Sequence, residues 1–236
     1  MSPSVSFTFS PAQTLDATAI ASLLASYWNT PFTALQFGTL DPQSLAAEMT
    51  PRIAQQIASE TSPTAFEVAR SLQDDGDVVA VAQWTSHSAM IEEEDADDAE
   101  RRQFEQEVYF NSLPDSCNKS LIMEFETKQR DLRDVVMRGH SRYLLLDNLA
   151  TKLQHRRKGL AARLVSRGME RAEDMGVGIY LDTGSENDAA LGLYKKLGFE
   201  ERGRRCVENL GRFGGAEGEA YEVVGLVKMA RREEER

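Results

Sequence analysis

The sequence predicts an α/β chain, with short strands and amphipathic helices gathered about one sheet. Three observations carry this. Tyr143–Ala150 is a short, mostly apolar run, followed by Leu160, Leu164, Gly168, Ala172 and Met175 at helical spacing, which makes a strand, turn and helix. Ala65–Arg70 and Val78–Trp84 bracket Asp74-Asp75-Gly76-Asp77, two strand-like runs around an Asp-Gly turn. Arg202–Val207 and Tyr221–Met229 read as a closing pair of strands.

The remaining elements follow in order. Residues 5 to 9 alternate and open the chain with a strand. Thr14 caps a helix carrying Leu15, Ile20, Leu23, Leu24 and Tyr27, which Pro31 stops. A second helix spans about 42 to 59, with Leu45, Met49, Ile53 and Ile57 at intervals of four. After the hairpin, residues 92–100 hold seven acids in nine positions and read as a solvated loop without calcium-loop spacing. Two helices are expected at 98–111 and 119–138, the second with Leu121, Phe125, Leu132 and Val136 on one stripe and Gly139 at its end. Gly178–Asp182 is a further strand. Ser185-Glu186-Asn187-Asp188 resembles a capping box before a short helix that puts Ala190, Leu193, Tyr194 and Leu197 on one face and ends at Gly198-Phe199. The glycine-rich stretch 211–215 lacks phosphate-loop spacing and reads as a flexible connection, and 231–236 as a charged, frayed tail. No repeat or linker divides the chain, so one domain over 1–236 is the economical reading, with an insertion at about 92–140.

Composition narrows the function. The 236 residues, 41% hydrophobic, suffice for a sizeable core. A net charge of −11 argues against nucleic acid as a partner and is compatible with cationic substrates. Cys117 and Cys206 lie far apart, outside any metal-ligand or disulfide spacing, as expected of reduced cysteines in a cytosolic protein. No apolar run approaches membrane-spanning length and no signal-peptide layout opens the chain. The expectation is a cytoplasmic protein, with the nucleus also open to it, that binds no membrane and holds no metal.

The chemistry centres on Gln154-His155-Arg156-Arg157-Lys158-Gly159-Leu160-Ala161, the turn between strand and helix. Such a turn aims free backbone amides and the positive end of a helix dipole at one point, which suits a phosphate. Small residues at 159 and 161 admit close approach, while Arg156, Arg157 and Lys158 add charge. A basic run at a helix start also occurs as a merely solvated face. Neither Gly-x-x-x-x-Gly-Lys-Ser/Thr nor Gly-x-Gly-x-x-Gly in a strand-turn-helix setting is present, which argues against a nucleotide-phosphate-binding protein.

Two motifs together resemble the GCN5-related N-acetyltransferases (GNAT). Arg156-Arg157-Lys158-Gly159-Leu160-Ala161 fits that family's pyrophosphate loop, and Asn187, Ala190, Tyr194, Gly198 and Phe199 fit its second signature, Asn-x-x-Ala-x-x-x-Tyr-x-x-x-Gly-Phe. The close match covers about residues 143–200. The resemblance implies a twisted, mixed, mostly antiparallel sheet of six to seven strands flanked by helices, with a helical insertion between strands 3 and 4. It implies transfer of an acetyl group from acetyl-CoA directly to a primary amine of a small molecule or a protein, by a monomer or homodimer. The inserted helices and acidic run make a wide peptide groove less obvious and favour the small molecule. Leu149, Ala150 and Thr151 would pair with the pantetheine arm, and residues 156–161 would bind the pyrophosphate. Asn187 would touch the cofactor or act only as a helix cap. Tyr194 would protonate the leaving thiolate, or serve only as a core aromatic on its helix's apolar stripe. For the base, Asp147 and Glu126 are the candidates, although a structural or solvated carboxylate is the reading the sequence favours for each. Trp28, Phe32 and Trp84 are candidate acceptor contacts, with core aromatics as the alternative reading of the first two. The sequence departs from the family at Ala161, Leu153 and Thr151, where glycine, proline and an aliphatic residue are common. A non-catalytic acyl-CoA-binding module is the alternative function.

Overall fold

In the computed structural model, the described residues are 6–230 except 29, 40, 89–106, 112 and 114. The acidic run and most of the first expected insertion helix fall outside them; within 107–111 the chain is helical. The strands form one seven-stranded sheet, ordered β1-β2-β3-β4-β5-β7-β6. They are β1 (Phe7–Pro11), β2 (Thr64–Ser71), β3 (Val78–Ser88), β4 (Arg142–Thr151), β5 (Gly178–Gly184), β6 (Glu200–Val207) and β7 (Tyr221–Lys228). The helices are α1 (Ala17–Ala25), α2 (Pro31–Phe37), α3 (Pro42–Ala58), α4 (Lys119–Val136), α5 (Leu160–Asp174) and α6 (Asp188–Lys196). Neighbouring strands are antiparallel except β4 and β5, as a mixed, mostly antiparallel sheet requires.

Four local expectations give way. Thr14 does not cap α1: it opens a 3-10 turn, where Asp16 accepts from the Gln13 N–H at 2.6 Å and pairs with Arg70 at 2.6 Å. That leaves a nearly fully buried carboxylate paired, the usual condition for burying one. Pro31 starts α2, its fixed φ suiting the first helical position, and Thr30 caps that helix through the Thr33 N–H. Ser185 does not cap α6; Asn187 does, accepting from the Ala190 N–H at 3.2 Å. Residues 210–213 form a 3-10 turn in which Leu210 is buried against Phe32 and Leu121, so this connection is packed.

The sheet is covered on both faces. On one side α1 and α3 pack Ile20, Leu24 and Ile53 onto Phe66, Val68, Val81 and Ala150. On the other, α5 places Leu160, Leu164, Val165 and Ala172 against Val79, Ala82, Trp84, Leu144 and Ile179. The indole of Trp84 is fully buried and fills the space left by Gly168 of α5. Leu132 of α4 meets Gly203 of β6 and Gly225 of β7, where a side chain on either strand would hold the helix off. Among the described residues, no helix is long and apolar enough to cross a membrane.

Candidate active site

The site begins where the sheet comes apart. β4 and β5 pair only at Tyr143–Gly178, Leu144–Ile179 and Leu145–Tyr180, although both strands continue. Beyond Leu145, β4 stays bonded to β3, and β5 to β7. The Lys152 N–H donates to Val79 O on β3, so backbone alternation turns the polar groups of Thr151 and Leu149 away from β3 and into the gap. The Thr151 carbonyl there accepts from the Tyr27 hydroxyl, and the Arg156 guanidinium lies over the Tyr27 ring, 5.0 Å from its centroid. Asp147 is the extra residue of a bulge: Gln83 faces Asn148 and Trp84 faces Leu146, leaving Asp147 unpaired.

At the end of β4 the phosphate-loop candidate has the geometry its sequence suggests. Arg157 at φ 59° and Gly159 at φ 79° turn the chain into α5, with Gly159 as its N-cap. No described group accepts a hydrogen bond from the amides of 158–162, and a Cβ at Gly159 would meet nothing within 4 Å. A row of free donors over open space at the positive end of a 15-residue helix has the electrostatics that suit an anion. The loop is pinned by the β2–β3 turn, which the sequence had not linked to it: Lys152 pairs with Asp77 at 3.3 Å and His155 with Asp74 at 3.4 Å. His155 is nearly buried edge-on against Phe7, and burial and then Lys158 hold its pKa below the usual imidazole value.

Across the gap, α6 places Tyr194 at 6% exposure, edge-on to Phe199 at 5.7 Å. Burial and then Asp182 hold its hydroxyl pKa well above that of a free phenol, so it keeps its proton at neutral pH. Asn187 caps α6 and also donates to Thr183 Oγ1 at 3.3 Å.

Beneath α4 lies a cleft of about 360 Å³, lined by Glu126, Gln129, Arg130, Arg133, Leu145, Leu146, Asp147 and Asp182. Its three carboxylates come from three elements, and the burial of each raises its pKa above the ordinary value. In Asp147 burial outweighs the 2.6 Å hydrogen bond donated by Thr85. In Glu126 it outweighs Arg130 and Arg133. Asp182 accepts from Gln129 Nε2 at 2.8 Å. Sequence reading missed Asp182, Arg130 and Arg133. The available signal was the polar stripe 126/129/130/133 at helical spacing beside the apolar stripe of α4, and a carboxylate inside a buried strand.

Such charges are costly to hold. A carboxylate whose folded pKa is raised loses stability as pH climbs from its unfolded pKa through the raised one. Asp182→Asn keeps an acceptor for Gln129 and removes the charge. It is expected to raise stability at pH 7 by about 1 kcal/mol, or roughly 2–4 °C in Tm, with the gain fading toward pH 4. Thermal unfolding across that range checks it.

The aromatic candidates do not line this cleft. Trp84 lies in the core on the α5 side, which corrects its expected place facing the acceptor. The bulge after Gln83 shifts β3 register, and the indole fills the void at Gly168. Trp28 stacks on Phe37 at 5.6 Å. Phe32 is buried, stacked on Tyr221 at 3.7 Å and edge-on to Phe125 at 5.0 Å. His87 of β3 stacks on Tyr143 at 4.6 Å.

Residues 120–199, from α4 through the loop and α5 to the end of α6, match the model of the Acetyltransferase (GNAT) family. That stretch resembles the GNAT acetyltransferases. Solved structures share the fold over nearly all of both chains. Arylalkylamine N-acetyltransferase 2 from Aedes aegypti aligns at TM-score 0.67 and 13% identity, over 95% of this chain and 99% of that one. The Drosophila melanogaster polyamine N-acetyltransferase aligns at TM-score 0.62 and 17% identity, over 95% and 100%. The ribosomal-protein-S18-alanine N-acetyltransferase from Escherichia coli aligns at 0.53 and 14%, over 98% and 99%. At these identities the likeness establishes the fold. No curated protein matches the sequence.

Proposed function

We propose that this chain is a GNAT-type, acetyl-CoA-dependent N-acetyltransferase that acetylates a primary amine of a small molecule. The observation that carries the reading is the parting of β4 and β5 directly beside a row of free amides at the α5 N-terminus. The residues present fit the cofactor. An extended amide-bearing arm can pair with the backbone of Leu149 and Thr151 along the open flank of β4, while Ala150 between them bonds to β3, and a pyrophosphate matches the donors of 158–162 with Arg156, Arg157 and Lys158 around them. Asn187 stands at the opposite wall, beside the arm's course. Acetyl-CoA, when bound, supplies an activated acetyl thioester.

The chain's own residues handle the protons. Asp147, open to the cleft and raised by burial, accepts the ammonium proton of the acceptor amine. Tyr194, fully protonated at neutral pH, offers a proton to the departing thiolate. The low-dielectric wall of Leu145 and Leu146 strengthens both interactions.

Calorimetric titration with acetyl-CoA, with ATP as control, and release of CoA thiol across an amine panel test the reading. Micromolar binding of acetyl-CoA alone, with thiol release dependent on amine, is expected. Binding without release for any amine favours the non-catalytic module; no binding rules out both. Within the enzyme reading, Tyr194→Phe keeps the ring packing on Phe199 and should lower kcat about 100-fold while leaving acetyl-CoA affinity within about twofold. Wild-type kcat in that variant would remove Tyr194 from the mechanism.

A further inference from the structure

The charges of the cleft are sorted along its length. Leu121 and Phe125, early in α4, pack with Phe32 and Tyr221, whereas Val136 and Met137 at its end pack with Tyr143 and Tyr180, where β4 and β5 are still joined. The helix therefore runs antiparallel to β4, with Glu126 toward the open end and Arg130 and Arg133 toward the closed end. Glu126 and Arg133 are about 10 Å apart along the helix axis. Asp147 and Asp182 each stand two positions past the last paired residues, Leu145 and Tyr180. Carboxylates thus ring the opening and guanidiniums stand behind them.

Arg133 acts electrostatically on all three carboxylates, yet none of these charges is held in a close pair. Glu126, Asp147, Asp182, Arg130 and Arg133 form no ion pair with a described residue. One buried donor beside the closed end, Arg133 Nε, lacks a partner, whereas the fully buried Tyr180 hydroxyl is engaged by Asp182. Unsatisfied buried donors are rare and cost about 1–3 kcal/mol each, which an oxygen of a ligand would recover. No aromatic ring lines the cleft among the described residues, so an aryl group would find no platform there.

We propose that the acceptor is an aliphatic amine bearing a carboxylate at the far end of its chain. This rests on the transferase reading above and names its substrate class. The amine lies at Asp147 and Asp182, and the carboxylate reaches Arg130 and Arg133, whose planar forks suit two-point recognition. The N–C bond forms as the C–S bond of the thioester breaks. The ammonium first loses one proton to Asp147, and the departing thiolate takes the Tyr194 proton. The second proton shed by the acylated nitrogen restores Tyr194, so the products are an acetamidocarboxylate and the CoA thiol, with the remaining proton on Asp147.

The test compares 5-aminopentanoate, pentylamine, cadaverine and 2-phenylethylamine with the full chain and acetyl-CoA. The first three share a five-carbon chain and differ only at the far end. The expected kcat/KM for 5-aminopentanoate is about tenfold or more above each of the others. Arg133→Gln should collapse the ratio of 5-aminopentanoate to pentylamine, and Arg133→Lys should restore part of it. Equal rates, or preference for cadaverine or 2-phenylethylamine, overturn the inference and leave the transferase standing. No thiol release from any amine overturns the transferase reading instead, and calorimetric binding then decides the inference. Tighter binding of 5-aminopentanoate than of pentylamine supports it, and equal binding overturns it.

Discussion

Gly168→Ala is expected to destabilise the protein by about 3 kcal/mol or more, enough to unfold a marginal domain. The sign is opposite to the general rule, since alanine in a helix interior ordinarily gains about 1 kcal/mol over glycine. Here a Cβ at 168 would stand 2.0 Å from Trp84 Cζ2 and 2.4 Å from Cη2, far inside contact distance. The indole has nowhere to go. It is 0% exposed among Ala82, Leu144, Leu146, Leu164 and Val165, and Arg171 lies 5.8 Å from its ring centre on the helix side. Close-packed interiors yield to such an insertion only by shifting backbone, so α5 would lift from the sheet and carry its N-terminus with it. Urea denaturation of Gly168→Ala, Trp84→Leu and the double variant gives a decisive pattern. Trp84→Leu removes the obstructing ring, so the double variant should be more stable than Gly168→Ala alone, a strong non-additivity between touching residues. An alanine variant as stable as wild type would mean that the indole does not occupy the notch.

The second large effect is on the cofactor. Gly159→Glu should weaken acetyl-CoA binding by more than about 100-fold, two or more powers of ten corresponding to roughly 3 kcal/mol. Two causes add. Gly159 sits at φ 79°, a region that costs an ordinary residue about 1–2 kcal/mol. The new side chain would also project into the space over the free amides, which is otherwise open within 4 Å, and set a carboxylate where an anion belongs. Gly159→Ala separates the two, since it carries the backbone cost without the charge and should lose only about tenfold. If Gly159→Glu binds acetyl-CoA with wild-type affinity, the turn is not the pyrophosphate site.

Much of this architecture was legible in the residues, and the reasons differ by element. The stretch from Tyr143 to Phe199 could be read because apolar periodicity, the glycines at 159, 176 and 198 and the loop composition all agree locally. All three glycines do adopt positive φ, at 79°, 64° and 82°. The hairpin was equally plain, with Asp75 and Gly76 both at positive φ in its turn. What could not be read depends on contacts across the sequence. Trp84 looks like a strand-end aromatic until its register with β4 and the notch at Gly168 are known. Asp182 looks like the polar end of a strand until β4 is seen to leave it. The polar stripe of α4 looks solvated because nothing in it says that β4 and β5 part beneath. Proline chemistry misled in one place: Pro31 serves as a stop or as a first helical residue, and only Thr30 as a cap decides between them.

The parting of β4 from β5 gives the molecule two internal sheet edges. An exposed edge normally invites a second protein chain, a hazard that folds blunt with charges, bulges or covers. In this protein the two edges confront each other, one carries a bulge at Asp147, and α4 roofs the gap. Backbone hydrogen-bonding capacity is thereby stored where another polypeptide has poor access and a slender, amide-bearing guest has good access. The interrupted sheet is in that sense a lock for a strand mimic, and the guest that completes it would also rivet its two halves together.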